Sequence, residues 1–526
     1  MRKSRRSAAN GTGSLRQRQG RNPAKGTGRR TAWPRQSPSV SQWVRQASGN
    51  GIYASKAVMK ELDGRIGAGG SPCAKRAGNE GDERMTMAAN TRLRKGQRIQ
   101  LTDGRTTTVI KKLGNGGQGT VYRVRIDQTG EEKALKWYFV EKLRAPEGFR
   151  RHLARNIASG APSDSFVWPL QLTEKLNGTF GYIMDIIPKE YIGFPKYLMA
   201  RAQFSNADAM INAALYIVSA FMALHNKGYN YQDLNDGNFS IHPRSGAVLI
   251  CDNDNVMGHG QSAGVLGKAR YMAPEIVRGE QAPSKMTDRF SLAVILFLLL
   301  IGDHPLEGRR TNVPVLTDKY DKRFFGTEPL FIYDAQDASN RPIPGLHRNA
   351  IARWEHFPSF MQEAFRQSFS RESLMKGEGR LLDQMWVHVL MRLKSSVAKC
   401  PRCGSDMFVE SDRRVQCPSC GIPVQAAGYL QFAKRSNIEV TVPIFSGVRL
   451  YEYHMDERNE GYVDQVAEVL EKPGKFGLRN KSGRAWQVTA PDGRSGRKSH
   501  GDTAILGSGF RIDFSEGCSA EVVANH

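Results

Sequence analysis

The chain has 526 residues and a formal net charge of +25, which is too long for one ordinary domain, so two to four folding units are expected. The basic excess is local: Met1 to Arg84 alone carries 18 Lys and Arg against 5 Asp and Glu, leaving the remainder only mildly basic. The charged start is not followed by an apolar stretch, which argues against a secretory signal, and the most apolar run, Phe290 to Ile301, falls short of the ~20 residues a spanning helix needs.

Residues 1–90, opening RKSRRSAANGTGSLRQRQGRNPAKGTGRR, are rich in Gly, Ser and Arg with almost no hydrophobic periodicity. Such a segment cannot bury enough surface to offset chain entropy, and disorder is expected. Its charge would suit an acidic surface or nucleic acid. No folded basic face or interleaved aromatics support base contacts, so the reading is a solvated tail, or a true start at Met85 or Met87, without a nucleic-acid partner.

Val109 to Arg125 places apolar residues on both sides of KLGNGGQGTVY, Lys112 to Tyr122, and predicts strand, turn, strand. Ala134 and Lys136 arrive one hairpin later, after a turn at Gln128-Thr129-Gly130. Pro146 to Ile157 reads as a helix, Phe166 to Leu172 as a strand with core aromatics, and Phe180 to Ile186 as a further strand. Asn206 to His225 has helical apolar spacing and leads into YQDLNDGNF, which puts Asp233 on a loop with Asn238 five residues on. Ala247 to Cys251 predicts a short buried strand that delivers CDND, Cys251 to Asp254. GKARYMAPE follows at Gly267 to Glu275, and Phe290 to Ile301 predicts a buried helix. Between Pro305 and Trp354 the chain is loop-rich, with Pro342, Pro344 and Gly345 breaking any helix.

Cys400-Pro-Arg-Cys403 and Cys417-Pro-Ser-Cys420 are two CxxC knuckles thirteen residues apart, each followed by glycine. Four thiolates so spaced suit a closed, structural zinc site; disulfides are the alternative, disfavoured in a reducing compartment. Cys73, Cys251 and Cys518 are isolated and read as bystanders. From Asn437 onward, short strands with turn signals predict a β unit.

In this order and separation, KLGNGGQGTVY, ALKWY around Lys136, YQDLNDGNF and CDND resemble the elements of a bacterial-type Ser/Thr protein kinase. The likeness covers about Arg105 to Lys394 and implies an α+β, bilobal protein-kinase fold over 97–395, with the lobes dividing near 186. It implies ATP held by Leu113, Gly114, Asn115, Gly116, Gly117, Gly119, Val121, Ala134 and Met184, the glycines because backbone must approach phosphates and take φ values that a Cβ opposes. Lys136 would pair with the α and β phosphates, Asp233 would accept the hydroxyl proton, and Asn238 and Asp252 would hold Mg2+. Kinases hold the strand lysine with a glutamate from the following helix; here Arg151 and His152 lie near that place, with Glu147 a turn earlier. Either Glu147 acts from a shifted helix or Lys136 is positioned differently. Tyr231 and Gln232 replace His and Arg before Asp233, Asn253 replaces the DFG phenylalanine, and Asn235 stands where a lysine is usual. Lys268 would supply the charge that Asn235 cannot, or is an exposed loop lysine. Glu275 and Arg380 resemble the pair that closes the APE segment, and Asp288 the acid that ties its helix to the catalytic loop.

Residues 305–354 resemble the lobe insertion of a kinase group associated with a metal-dependent protein phosphatase and a von Willebrand type A protein, which implies a docking surface. Residues 398–424 resemble a zinc ribbon. GLRNKSGRAW followed by GDTAILGSGFRIDF resembles the second half of a forkhead-associated β-sandwich, placed at 437–526, without the GR and SxxH elements of its first half. The implied activity is γ-phosphoryl transfer from Mg·ATP to Ser/Thr of proteins in the cytoplasm, without membrane attachment. A catalytically weak scaffold and a small-molecule kinase are the alternatives.

Overall fold

The computed structural model describes residues 92–258, 267–315, 317–433, 440–456, 461–515 and 517–525. The expectations for residues 1–90, with Cys73, Met85 and Met87, lie outside them.

Strands β1 (Arg98–Gln100), β2 (Thr106–Asn115), β3 (Gly119–Ile126), β4 (Glu132–Tyr138), β5 (Gln171–Leu172) and β6 (Gly181–Met184) form one antiparallel sheet in the order β1-β2-β3-β4-β6-β5. Side chains alternate across it. Tyr122, Val124, Ile126, Leu135 and Trp137 pack on one face. Ala134, Tyr138, Tyr182 and Met184 fill the other, against Leu153 of helix α1 (Pro146–Ser159). Lys136 therefore shares the face of Ala134 and Tyr138, and that alternation aims it inward. The strand expected over Phe166 to Leu172 survives only as β5, because Pro169 has no N–H to offer a ladder. Phe166 instead bridges Ile250, and Phe166 and Trp168 join the core of the larger lobe.

That lobe is built on helices α2 (Ala207–Asn226), α3 (Lys285–Leu300) and α4 (Asp383–Lys394). The Asn206 side chain caps α2 by accepting the Ala209 N–H at 2.8 Å. By length and composition α2 could cross a membrane, yet Ile211, Leu215, Val218 and Phe221 are buried in the lobe core. From Phe290 onward helix α3 is apolar almost all round and buried accordingly. The loop-rich stretch before Trp354 is part of this core: Phe331, Ile332 and Trp354 are buried, and Tyr333 stacks on Trp354 at 4.3 Å.

Two short hairpins, Val397–Lys399 with Asp406–Phe408 and Val415–Gln416 with Pro423–Val424, carry the four paired cysteines. Beyond them stand two antiparallel sheets. One is six-stranded, in the order Thr441–Pro443, Gly428–Phe432, Cys518–Ala524, Arg511–Ser515, Trp486–Thr489, Ser495–Lys498; the other joins Arg449–Tyr451, Gln465–Lys472, Lys475–Asn480 and Thr503–Ile505. Leu430, Val469, Leu478, Trp486, Phe514 and Val522 form their common core, which Cys400 and Cys417 enter. The strand Gly428–Phe432 precedes the start expected at Asn437. Its GYLQF pattern is short, and it is held by pairing with Cys518–Ala524, far away in sequence. The two-sheet unit packs on the larger lobe through Arg449, 2.7 Å from Asp208, and the first cysteine hairpin does so through Phe408 against Phe357.

Candidate active site

Strand Val248–Ile250 pairs antiparallel with Phe239–Ile241, Val248 opposite Ile241 and Ile250 opposite Phe239. Asn238 precedes one strand and Cys251 follows the other, so a single ladder sets Asn238 and Asp252 at the same end; the Cys251 N–H donates to the Asn238 carbonyl at 2.9 Å. Gly246 makes the turn at the far end with φ of +76°. Asp252 is left-handed (φ 59°, ψ 39°), a conformation Asp tolerates better than most residues, and its side chain is 51% exposed. Its Oδ1 lies 3.3 Å from Lys136 Nζ.

The Asp233–Asn238 segment is fixed by its own amides. Asn235 Nδ2 donates to Asp233 Oδ1 at 3.2 Å, Asn235 Oδ1 accepts the Gly237 N–H, and Asn238 Oδ1 accepts the Asn235 N–H at 2.7 Å. Asn235 therefore orients the Asp233 carboxylate. Burial raises the pKa of Asp233; Asn235, Lys268 and Lys136 oppose the rise and Asp252 adds to it. Gly267 backs onto Asp233, where a Cβ would come 3.0 Å from its Oδ1, so the segment carrying Lys268 lines the same cleft. Lys268 is exposed at its rim.

Tyr231 sends its hydroxyl to the Cys251 carbonyl, and its N–H donates to Asp288 Oδ2 at 2.7 Å. Asp288 thereby ties α3 to the segment that leads into Asp233. Glu275 and Arg380 form a buried two-bond pair at 2.7 and 2.8 Å.

The two alternatives for the lysine are separated here. Glu147 is exposed and bonds Lys175, not Lys136, which rules out the shifted-helix option. Lys136 Nζ instead lies 2.9 and 2.7 Å from the two carboxylate oxygens of Asp254, which also accepts the Tyr138 hydroxyl at 2.5 Å. Burial pulls the Lys136 pKa down, but Asp254 and Asp252 together hold it above the ordinary lysine value. Helix α1 docks by neutral groups: Asn156 Nδ2 donates to the Val256 carbonyl at 3.1 Å and contacts His152, whose pKa burial lowers. Asn253, in place of an aromatic, is buried and donates to the carbonyls of Val167 and Ile250. Asp254 and Tyr138 were not foreseen. The D-x-D spacing was the available signal, but it does not say which acid turns inward.

The glycine loop joins β2 to β3 with Gly114 opposite Val121 and Asn115 opposite Thr120. Contrary to expectation, Gly114, Gly116, Gly117 and Gly119 are not among the residues at positive φ. A Cβ on Gly119 would meet the Trp137 carbonyl at 2.3 Å, whereas Gly114 and Gly117 face open space. Leu113 is exposed, Val121 half-buried, and buried Ala134 pairs with buried Met184.

The Sγ atoms of Cys400, Cys403, Cys417 and Cys420 lie within 4.8 Å of one another, with Cys400–Cys420 and Cys403–Cys417 both at 3.7 Å. A tetrahedron of ~2.3 Å zinc–sulfur bonds has edges of about 3.8 Å, so the donor set fits zinc, and the separations exceed the ~2.05 Å of a disulfide. Gly404 and Gly421 shape the knuckles, each donating to the carbonyl of the first cysteine of its pair at 2.9 Å from a positive φ.

Residues 107–336 match the family model for the protein kinase domain. The chain is similar to Protein kinase YegI of Escherichia coli, 24% identical over 352 residues, covering 63% of this chain and 51% of that protein. Human Beta-adrenergic receptor kinase 1 is 28% identical over 213 residues (39% and 30% covered), and Probable serine/threonine-protein kinase PknB of Corynebacterium glutamicum 25% over 218 residues (37% and 31%). The chain spans about half or less of the length of these relatives. Residues 107–336, which contribute the sheet and much of the helical lobe, are thus similar to the protein kinase domain, and a four-cysteine cluster and a β-rich unit follow them.

Proposed function

We propose that the chain transfers the γ-phosphoryl group of Mg·ATP to Ser/Thr hydroxyls of protein substrates, in bacterial signalling in the cytoplasm. The observation that carries this reading is the 3.3 Å contact of Lys136 with Asp252, whose neighbour Cys251 bonds the Asn238 carbonyl of the segment on which Asn235 aims Asp233. In the proposed reaction the substrate hydroxyl oxygen bonds to the γ-phosphorus, the bond to the β–γ bridging oxygen breaks, ADP leaves, and the hydroxyl proton passes to Asp233. Burial makes Asp233 a better proton acceptor, and Asn235 aims it. Lys136 neutralises phosphate charge, the open space over Gly114 and Gly117 leaves room for the phosphates, and Val121, Ala134 and Met184 would flank the base. The half-exposed Asp252 carboxylate and the Asn238 amide would hold Mg2+, which when bound draws charge from the phosphate oxygens. Lys268 would supply the positive charge beside the transferred group: Lys268→Ala is expected to lower turnover roughly 10²-fold, and an unchanged rate refutes that role.

The four cysteines would hold one structural Zn2+. The β unit would serve as a forkhead-associated-like docking module, a reading supported by its two packed sheets. Residues 305–354 would form the surface for a metal-dependent phosphatase and a von Willebrand type A protein. Incubating labelled Mg·ATP with wild type and Asp233→Ala tests the main reading. Label in protein that disappears in the variant supports it; nucleotide binding without transfer favours a scaffold, and turnover only with a small acceptor favours a small-molecule kinase.

A further inference from the structure

We propose that Asp254 is the residue that positions Lys136 for nucleotide, so that the loop carrying the metal-binding acid also anchors the phosphate-binding lysine and helix α1 is not required for it. The inference rests on the kinase reading above. Asp252 and Asp254 divide the work by burial. Asp252 turns out, half exposed, with one long 3.3 Å contact to the lysine, while Asp254 is 0% exposed and gives Lys136 both oxygens at 2.9 and 2.7 Å. A carboxylate so enclosed is tolerable only when charge-paired and fully hydrogen-bonded, and Tyr138 supplies the remaining bond.

Period-two alternation on β4 puts Tyr138 on the same face as Lys136, two residues on. Burial raises the Tyr138 pKa well above that of an ordinary phenol, so its hydroxyl remains a donor. The strand therefore brings both partners to Asp254 in one step, and α1 adds apolar packing on the Tyr138 ring, through Phe149 at 5.3 Å between centroids, but no charge. The acid nearest the start of α1, Glu147, is committed to Lys175, and the helix touches the acidic segment through Asn156 and the Val256 carbonyl. Displacing α1 would break the Asn156 contact and the Phe149 packing on Tyr138, but neither carboxylate–lysine contact of Asp254. Removing Asp254 would instead leave Lys136 with Asp252 as its carboxylate, in competition with the cation that Asp252 is proposed to hold.

The test uses the full chain with mant-ATP binding titrated against Mg2+, alongside transfer of labelled phosphate to dephosphorylated casein. Asp254→Asn is expected to weaken mant-ATP binding at least about tenfold and to raise the Mg2+ concentration for half-saturation. Tyr138→Phe should do both to a smaller degree, with KM for ATP rising by more than kcat falls. Glu147→Ala should change neither. Should Asp254→Asn fail to fold, Tyr138→Phe decides: an unmoved Mg2+ requirement and KM for ATP overturn the proposal. So does an Asp254→Asn protein that folds and binds as wild type, or a Glu147→Ala protein that carries the loss. If wild type binds mant-ATP but labels no protein, the kinase reading fails, while the Mg2+ titrations still decide the role of Asp254.

Discussion

At the end of α2, His225 places Nδ1 2.8 Å from Asp383 Oδ2 and Nε2 3.2 Å from Asp288 Oδ2. Only a doubly protonated ring donates to both. Burial favours the neutral ring, but the two carboxylates outweigh it and lift the pKa to about 9. Burial also pushes Asp288 up, with the imidazolium opposing that rise; Arg289, 3.7 Å from Asp383, is the other cation at the cluster. For a histidine whose folded pKa lies above its unfolded value of ~6.5, the stabilisation is fully present below about pH 6.5 and disappears as pH rises through about 9. A gap of roughly 2.5 pH units at 1.36 kcal/mol each corresponds to about 3 kcal/mol. The perturbation is His225→Gln, which removes the charge but keeps a hydrogen-bonding side chain. Thermal unfolding of both proteins between pH 6 and 10 should show a gap of the order of 5 °C at the acid end, closing above about pH 9. A gap that stays constant with pH refutes the reasoning. Because Asp288 also receives the Tyr231 N–H, phosphoryl transfer should decline over the same interval.

Arg380→Met leaves Glu275 buried without its cation and should cost about 3–5 kcal/mol in denaturant unfolding, with part of the loss recovered in the Glu275→Gln, Arg380→Met double variant. Wild type should contain one zinc per chain by elemental analysis, and Cys417→Ser should lose it and lower the melting temperature of the β unit, because Cys417 lies in that unit's core. Gly246→Ala forces a Cβ to within 2.2 Å of the Ala209 carbonyl at φ of +76° and should destabilise by more than ~2 kcal/mol, whereas Gly104→Ala, at φ of +85° but in open space, should cost about 1 kcal/mol.

The site was legible where chemistry depends on order along the chain. Lys136 after a glycine hairpin, Asp233 five residues before Asn238, and an acid directly after an apolar strand are one-dimensional signals that a short ladder converts into proximity. The partner of Lys136 was not legible. Asp252 and Asp254 differ only in which one turns inward, and that is decided by Tyr138 on another strand and by the left-handed backbone at Asp252. The missed strand Gly428–Phe432 and the over-long strand at Phe166 share a cause. Pairing partners distant in sequence, and one missing N–H at Pro169, override local pattern.

In the six-stranded sheet, Cys518–Ala524 lies between Gly428–Phe432 and Arg511–Ser515 instead of at an edge. During synthesis Cys518–Ala524 follows the other five strands of this sheet, and it is the one that joins the two halves. Its predecessors must wait as an open layer with an uncovered seam, while the helices that end at Lys394 have already had time to pack. A stop codon placed just before Cys518 would remove the middle of the sheet and leave an aggregation-prone remnant behind an otherwise finished kinase-like domain.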